Sequence, residues 1–396
     1  MDFILLSILK TAIAAPVLLG TLAYLVWIER KVLAHVQLRI GPSRVGPHGL
    51  LQPIADAIKL LTKEDFIPSY VNKFYYWLAP WLALMFAVTA ISVIPIGPIV
   101  EVFGIKTNMG QADISIGLLL ILGLTGMGVY GIALAGWSSN NKYSLLGGLR
   151  SSAQMIAYEL PMAVAIASPL LIVNTLNLRE IVNAQAGYTF GILPNWTVLG
   201  GGLQIFSFLI YLTCAFAETN RIPFDLPEAE NELVGGYNTE YSSMKFAAFF
   251  MAEYCNIITA CALATTLFLG GWHPIIPNEL GGQFIPTLVC LFFAGVLFYH
   301  ALNPSRPSDR FSMGIIGAVV LGLGLMFQVP GVKDLAQPLF WFASKAGFLI
   351  FLMIWVRGTV PRFRYDQLMR FAWLFLFPAA LLNLLVTAFI VALKSN

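Results

Sequence analysis

Six carboxylates crowd one short stretch of this chain: Glu218, Asp225, Glu228, Glu230, Glu232 and Glu240 lie within the 23 residues ETNRIPFDLPEAENELVGGYNTE, offset by Arg221 alone. Acids packed this closely and partly removed from water hold protons more tightly than isolated ones, so they can store and pass protons near neutral pH. A solvated loop would hold the same acids without such chemistry. Two features argue against that: Phe224, Leu226 and Leu233 are interleaved with the acids, and Glu228 and Glu232 stand at i,i+4, a like-charge spacing that costs helix stability. Pro223 and Pro227 forbid a continuous helix across the first part. The backbone is expected to dip and turn back, which is tolerated at membrane depth only beside protein or a wet cavity.

Glu159 and Glu253 lie inside apolar runs, where an ionised group costs on the order of 3 kcal/mol unless it is partnered. Each reads as a proton-handling residue or as a hydrogen-bonded structural acid. Lys345, nearer its predicted helix end, reads equally as a functional residue or as one that merely snorkels. A second constellation is Glu29-Arg30-Lys31 followed by Arg39-Ile40-Gly41-Pro42 and Arg44-Val45-Gly46-Pro47. Repeated Gly-Pro steps make a stiff, turned loop that holds guanidinium groups near headgroup level, although basic residues there also serve as topology anchors. Just beyond, Leu50, Leu51, Ile54, Ala57, Ile58 and Leu61 recur at helical spacing, with Gln52, Asp56, Lys59 and Lys63 on the opposite stripe. That is an amphipathic helix at the membrane surface, either a packing strut or one wall of a site opening sideways into the bilayer.

The elements that must position these residues are membrane helices. Of 396 residues, 58% are hydrophobic and only 11% charged, too little charge for a soluble domain of this size. At about 20 apolar residues per span, segments fall near 3–28, 76–95, 114–137, 151–173, 196–217, 246–270, 286–302, 313–329, 339–357 and 371–393. The seventh and eighth are the shortest. The odd-numbered connections carry 17 of the 23 Lys and Arg residues, so the positive-inside rule puts those loops in the cytoplasm and both termini on the opposite side. The expected fold is an all-α polytopic membrane protein, a single membrane domain over residues 1–396 with about ten transmembrane helices.

Several function classes drop out. The net charge is +3, and no basic run with interleaved aromatics suggests nucleic acid. Cys214, Cys255, Cys261 and Cys290 form no CxxC pair, and His35, His48, His273 and His300 form no metal-binding spacing, so neither a cluster nor a metal is expected. Gly126-Met127-Gly128-Val129-Tyr130-Gly131 matches GxGxxG but sits mid-span with no preceding strand; small-residue helix packing explains it better.

Four stretches then carry a resemblance: ERKVLAHVQLRIGPSRVGPHGLLQPIADAIKLLTKE, GWSSNNKYSLLGGLRSSAQMIAYELP, AETNRIPFDLPEAENELVGGYNTEYSSMKFAAFFMAEY and WVRGTVPRFRYDQLM. In this order they resemble the H-subunit family of the proton-pumping NADH:quinone oxidoreductase, respiratory complex I, from about Leu5 to Pro378. The resemblance implies a protein that joins the hydrophilic arm to the membrane arm of that complex and forms much of its quinone chamber. It places Arg30 near the lateral quinone entrance and Asp56, Arg221 and Phe224 along the chamber. It places Glu159, Glu218, Glu228, Glu232, Glu240 and Glu253 on an acidic route towards the antiporter-like subunits. Quinone is then a substrate, nothing is bound covalently, and NADH, FMN and iron-sulfur clusters belong to partner subunits in a bacterial inner membrane. The family has eight spans, so residues 286–329 read as an inserted pair of helices, and Leu374 stands where the family often has Lys. The alternative is the homologous membrane subunit of a membrane-bound hydrogenase or ferredoxin-linked ion pump. An independent transporter would show inverted repeats, and the charged loops do not resemble one another.

Overall fold

The computed structural model describes residues 2–102, 105–200, 203–225, 235–303 and 307–395. In chain order the helices are α1 (Asp2–Val36), α2 (Gln52–Thr62), α3 (Lys73–Ser92), α4 (Gly117–Ser138), α5 (Lys142–Val173), α6 (Leu178–Ala184) and α7 (Leu203–Glu218). They continue as α8 (Ser243–Phe268), α9 (Ile285–Leu302), α10 (Pro307–Met326), α11 (Lys333–Thr359), α12 (Tyr365–Arg370) and α13 (Phe377–Ser395), the last two joined by a π-helical turn at Phe371–Leu376. Two small antiparallel hairpins, β1 (Ile99–Val102) with β2 (Ile105–Asn108) and β3 (Tyr188–Thr189) with β4 (Leu193–Pro194), cap loops.

Among the described residues eight helices are long and apolar enough to cross a membrane, and α7 and Arg310–Met326 are shorter apolar helices. These are the ten expected segments. Arg310–Met326, the expected eighth segment, is one of the two shorter ones, whereas the expected seventh belongs to a 21-residue span, Gly282–Leu302; α7 is described from Leu203, after a 3-10 turn at Thr197–Leu199. Conversely α5 starts at Lys142, well before residue 151, because Asn141 caps it by accepting from the Tyr143 amide at 3.0 Å. The first helix runs on to Val36, so Glu29, Arg30 and Lys31 stand on a rigid turn of α1.

The centre of the bundle is α8, which packs against α1, α2, α3, α5, α6, α7 and α11 and is the most deeply buried span. Small residues let its neighbours close around it: a Cβ on Gly131 would stand 2.9 Å from Ala83 of α3, and one on Gly136 would stand 3.1 Å from Gly148 of α5. The Gly126–Gly131 motif is thus a helix-packing surface. By contrast α9 and α10 form a hairpin that packs chiefly on itself.

Several connections meet at one end of the bundle. Tyr70 and Asn141 both bond Glu240, Lys245 pairs with Asp65, and Arg362 pairs with Asp225. The first, third, fifth and ninth connections are therefore neighbours in space.

Candidate functional site

The amphipathic helix decides where a ligand can sit. A cavity of about 580 Å³ lies between α1, α2 and α8; Gln52, Asp56, Lys59 and Lys63 line it together with Ala57 and Leu61 of the apolar stripe, while Ile54 and Ile58 are exposed away from it. Gln52 and Asp56 are the half-buried polar residues bordering the cavity, and Ile54 and Ile58 face the surroundings. That is the geometry of a wall whose outer face lies in lipid. On the α1 side the lining is apolar apart from Arg30, whose Nη1 donates to Asp56 Oδ2 at 2.8 Å; Gln52 steadies the other oxygen at 2.9 Å. Lys245 tethers the far end of this wall: its Nζ lies 2.8 Å from Asp65 and 4.3 Å from the centre of the Trp77 ring.

At the inner end of the cavity stands Tyr254 of α8, and behind it a buried charge cluster. Tyr254 donates to Glu29 Oε2 at 2.6 Å, and Arg221 reaches Glu29 Oε1 at 3.4 Å while its guanidinium lies 4.3 Å above the Tyr254 ring. Arg357 of α11 pairs with the same Glu29 carboxylate. On its other side Arg221 lies 3.7 Å from Glu253, which accepts from the Tyr237 hydroxyl at 2.8 Å. Two carboxylates and two guanidiniums balance here, so neither charge type is buried alone.

From Glu253 the buried acids continue. Glu253 and Glu218 line one small cavity of about 20 Å³ with Asn256, room for a single water. Glu218 and Asn256 also line the next small cavity, with Thr125, Tyr211 and Thr259. Glu159 of α5 presses on Gly126 of α4, where an added Cβ would stand 2.6 Å from its Oε1. Glu240 stands apart, held by Tyr70 at 2.9 Å and Asn141 at 2.7 Å, with its backbone carbonyl accepting from Tyr76 at 2.6 Å. Its carboxylate, through that hydrogen bond, raises the Tyr70 phenol above its ordinary value. Burial raises the neighbouring Tyr241 phenol to about 12, against opposing hydrogen bonds from Ser138 and Ser139.

The predicted residues therefore divide. Arg30 and Asp56 line the large cavity together; Arg221 lies behind Tyr254. Phe224 does not line it. Its ring packs 5.5 Å from Tyr158 and 5.5 Å from Phe363, and its carbonyl accepts from Gln154 at 2.8 Å, so it fixes the turn after α7. Glu228 and Glu232 lie outside the described residues. Lys345 does not snorkel: it is 5% exposed and donates to three backbone carbonyls. Sequence reasoning missed Glu29, Tyr237, Tyr254 and Arg357 as site residues. Glu29 stood in the Glu29-Arg30-Lys31 constellation without a role of its own; the one local signal for Tyr254 is its place beside the buried Glu253. Among the described residues no three His, Cys, Asp or Glu side chains gather as a metal site.

A family model described as NADH dehydrogenase matches residues 9–388. The chain belongs to that family. A relative from Solibacter usitatus, named as an H-subunit of NADH-quinone oxidoreductase, is 58% identical over 392 residues, covering 99% of this chain and 98% of the relative. An H-subunit of the same enzyme from Koribacter versatilis is 47% identical, covering 99% and 98%, and one from Geobacter metallireducens is 43% identical, covering 99% and 97%. This member of the NADH dehydrogenase family is a multi-pass membrane protein, and the cavity, the cluster behind Tyr254 and the buried acids all lie within the matched residues.

Proposed function

We propose that this chain is the H-subunit of an NADH:quinone oxidoreductase, respiratory complex I, and that the cavity between α1, α2 and α8 is its quinone chamber. The observation that carries this reading is the Arg30–Asp56 pair in a cavity walled by α2, with the Tyr254–Glu29–Arg221 cluster at its inner end. A long isoprenoid tail needs an apolar passage that opens towards lipid, and a quinone head needs hydrogen bonds where it is reduced. Two electrons arriving from the partner subunits require two protons at the ring oxygens. Tyr254 holds a hydroxyl proton at the cavity's inner end, and Glu29 and the arginines fix its orientation.

Quinone is the substrate; NADH, FMN and the iron-sulfur clusters belong to hydrophilic-arm partners, so the chain is not catalytic alone. Proton movement runs from the Arg221 cluster through Glu253, Glu218 and Glu159 towards the membrane arm, with Glu228, Glu232 and Glu240 in the connecting loop. The membrane is the bacterial inner membrane, with the acidic loop cytoplasmic, and the α9–α10 hairpin is an addition to an eight-span plan. The test is purification of the tagged protein in mild detergent, with identification of every co-purifying subunit and assay of inhibitor-sensitive NADH:quinone activity. Flavin and iron-sulfur subunits with that activity support the reading. A nickel-iron hydrogenase partner, or none, overturns it.

A further inference from the structure

Lys345 sits in a built cation site that the proposed chamber does not use. It lies on α11, twelve residues in from Lys333, about 18 Å along the helix. Its Nζ donates to the carbonyls of Leu269 at 2.6 Å, His273 at 2.7 Å and Gly271 at 3.0 Å, and lies 4.8 Å from the centre of the Trp196 ring. An ammonium has three N–H donors and no acceptor, so three carbonyls and an aromatic face match it; a neutral amine would turn a lone pair towards one of those oxygens. The carbonyls belong to the C-cap of α8 and the turn that follows it, at the negative end of the helix dipole.

The cage is braced by contacts other than the ammonium. Gly270 and Gly271 have φ of 69° and 50°, and a Cβ on either would meet Trp196 at 2.6 Å or Val182 at 2.7 Å. Gln185 Oε1 accepts from the Gly270 amide at 3.0 Å and from the Thr197 amide at 3.1 Å, while its Nε2 donates to Thr266 O at 2.8 Å. From this cage α8 runs fifteen residues back to Tyr254, about 22 Å, and α11 runs twelve residues on to Arg357, about 18 Å. Between them Cys261 and Met353 touch at 3.7 Å. The two helices thus span from the Lys345 cage to the Glu29 cluster.

We propose that Lys345 is a positioning residue: its ammonium, seated in the three-carbonyl site, fixes the axial register in which α11 delivers Arg357 to Glu29 beside Tyr254. The functional consequence rests on reading the α1–α2–α8 cavity as the quinone chamber. Lys345 is a fixed charge here and relays no proton.

The test uses the assembled complex in membrane vesicles. Lys345→Ala removes the three donors, and the resulting slip of α11 lowers kcat/KM for a short-chain quinone about tenfold or more, as misplacement remote from the chemistry does. Ethylammonium, which restores three N–H donors in the vacated space, recovers at least half of the loss; tetramethylammonium, with the same charge and no N–H, does not. The number of protons translocated per quinone reduced stays at the wild-type value. A lowered ratio with quinone turnover intact would make Lys345 a proton carrier and overturn the proposal, as would equal effects of the two ammonium ions. Lys345→Gln keeps two donors and is expected to lose less than Lys345→Met; equal losses would also overturn it. If Lys345→Ala does not assemble, these two variants decide. Should the wild-type complex reduce no quinone, the chamber reading fails. The proposal is then judged on the cryo-EM position of α11 in Lys345→Met: displacement of Arg357 from Glu29 supports it, and an unmoved helix sinks it.

Discussion

Gly126→Ala tests the route through Glu159 with one methyl group. An added Cβ would stand 2.6 Å from Glu159 Oε1 and 3.2 Å from Oε2, whereas a relaxed carbon-oxygen contact is about 3.4 Å, so the near oxygen must retreat by about 0.8 Å. On the short lever from Cγ that is a rotation of about 20–30°, which costs about 0.5–1.5 kcal/mol in rotamer strain. The clash is with the tip of a flexible side chain, so the fold survives, and the helix-propensity gain of about 1 kcal/mol on replacing Gly by Ala offsets part of the strain. If Glu159 passes protons, that strain appears as a two- to tenfold slower proton translocation, about 0.5–1.4 kcal/mol. Gly123→Ala is the matched control, because it lies on the same helix and an added Cβ there meets nothing within 4 Å. The assay is initial proton translocation in vesicles, normalised to assembled complex. Equal rates for the two variants, or equal losses, would refute the assignment of Glu159.

Tyr254→Phe removes the 2.6 Å bond to Glu29; a bond to a charged group is worth about 1.5–3 kcal/mol, so steady-state assays should show kcat/KM for quinone falling at least about tenfold. Arg30→Met should change thermal stability by under about 1 kcal/mol, because the pair is 49% and 32% exposed, yet raise the KM for quinone. His273 is held below its ordinary value first by burial and then by the charge of Lys345, so the folded chain keeps it neutral while the unfolded chain takes the proton. Stability is then full above the ordinary histidine value of about 6.5 and falls as pH drops below it; His273→Gln should flatten that slope in melting curves between about pH 7 and about pH 5. Phe224→Ala should cost about 3–5 kcal/mol in stability as a core truncation, with melting temperature affected before quinone affinity.

Features that repeat over a few residues could be read before any fold was known. Ten apolar segments, the two stripes of α2, the packing role of Gly126 to Gly131 and the crowding of acids after Ala217 are all legible, because each depends on spacing within one or two helical turns. Segment ends were less legible: α5 opens at its Asn141 cap rather than where its apolar run begins, since a cap is a hydrogen bond and not a hydropathy step.

What those residues face depends on contacts between distant helices. Arg221 meets Glu29 across 192 positions and Tyr254 meets it across 225, separations over which no periodicity carries information. Phe224, expected in the chamber, turns instead to Tyr158 and Phe363, because the carbonyl beside it is held by Gln154 of α5. Lys345 read equally as a functional residue or as one reaching for the membrane surface, since its own helix shows no partner for it; the carbonyls that hold it belong to the turn after α8. A charge inside a bilayer must find its counter-groups within the protein, and those groups come from other helices, so the fold and not the local sequence sets its partner.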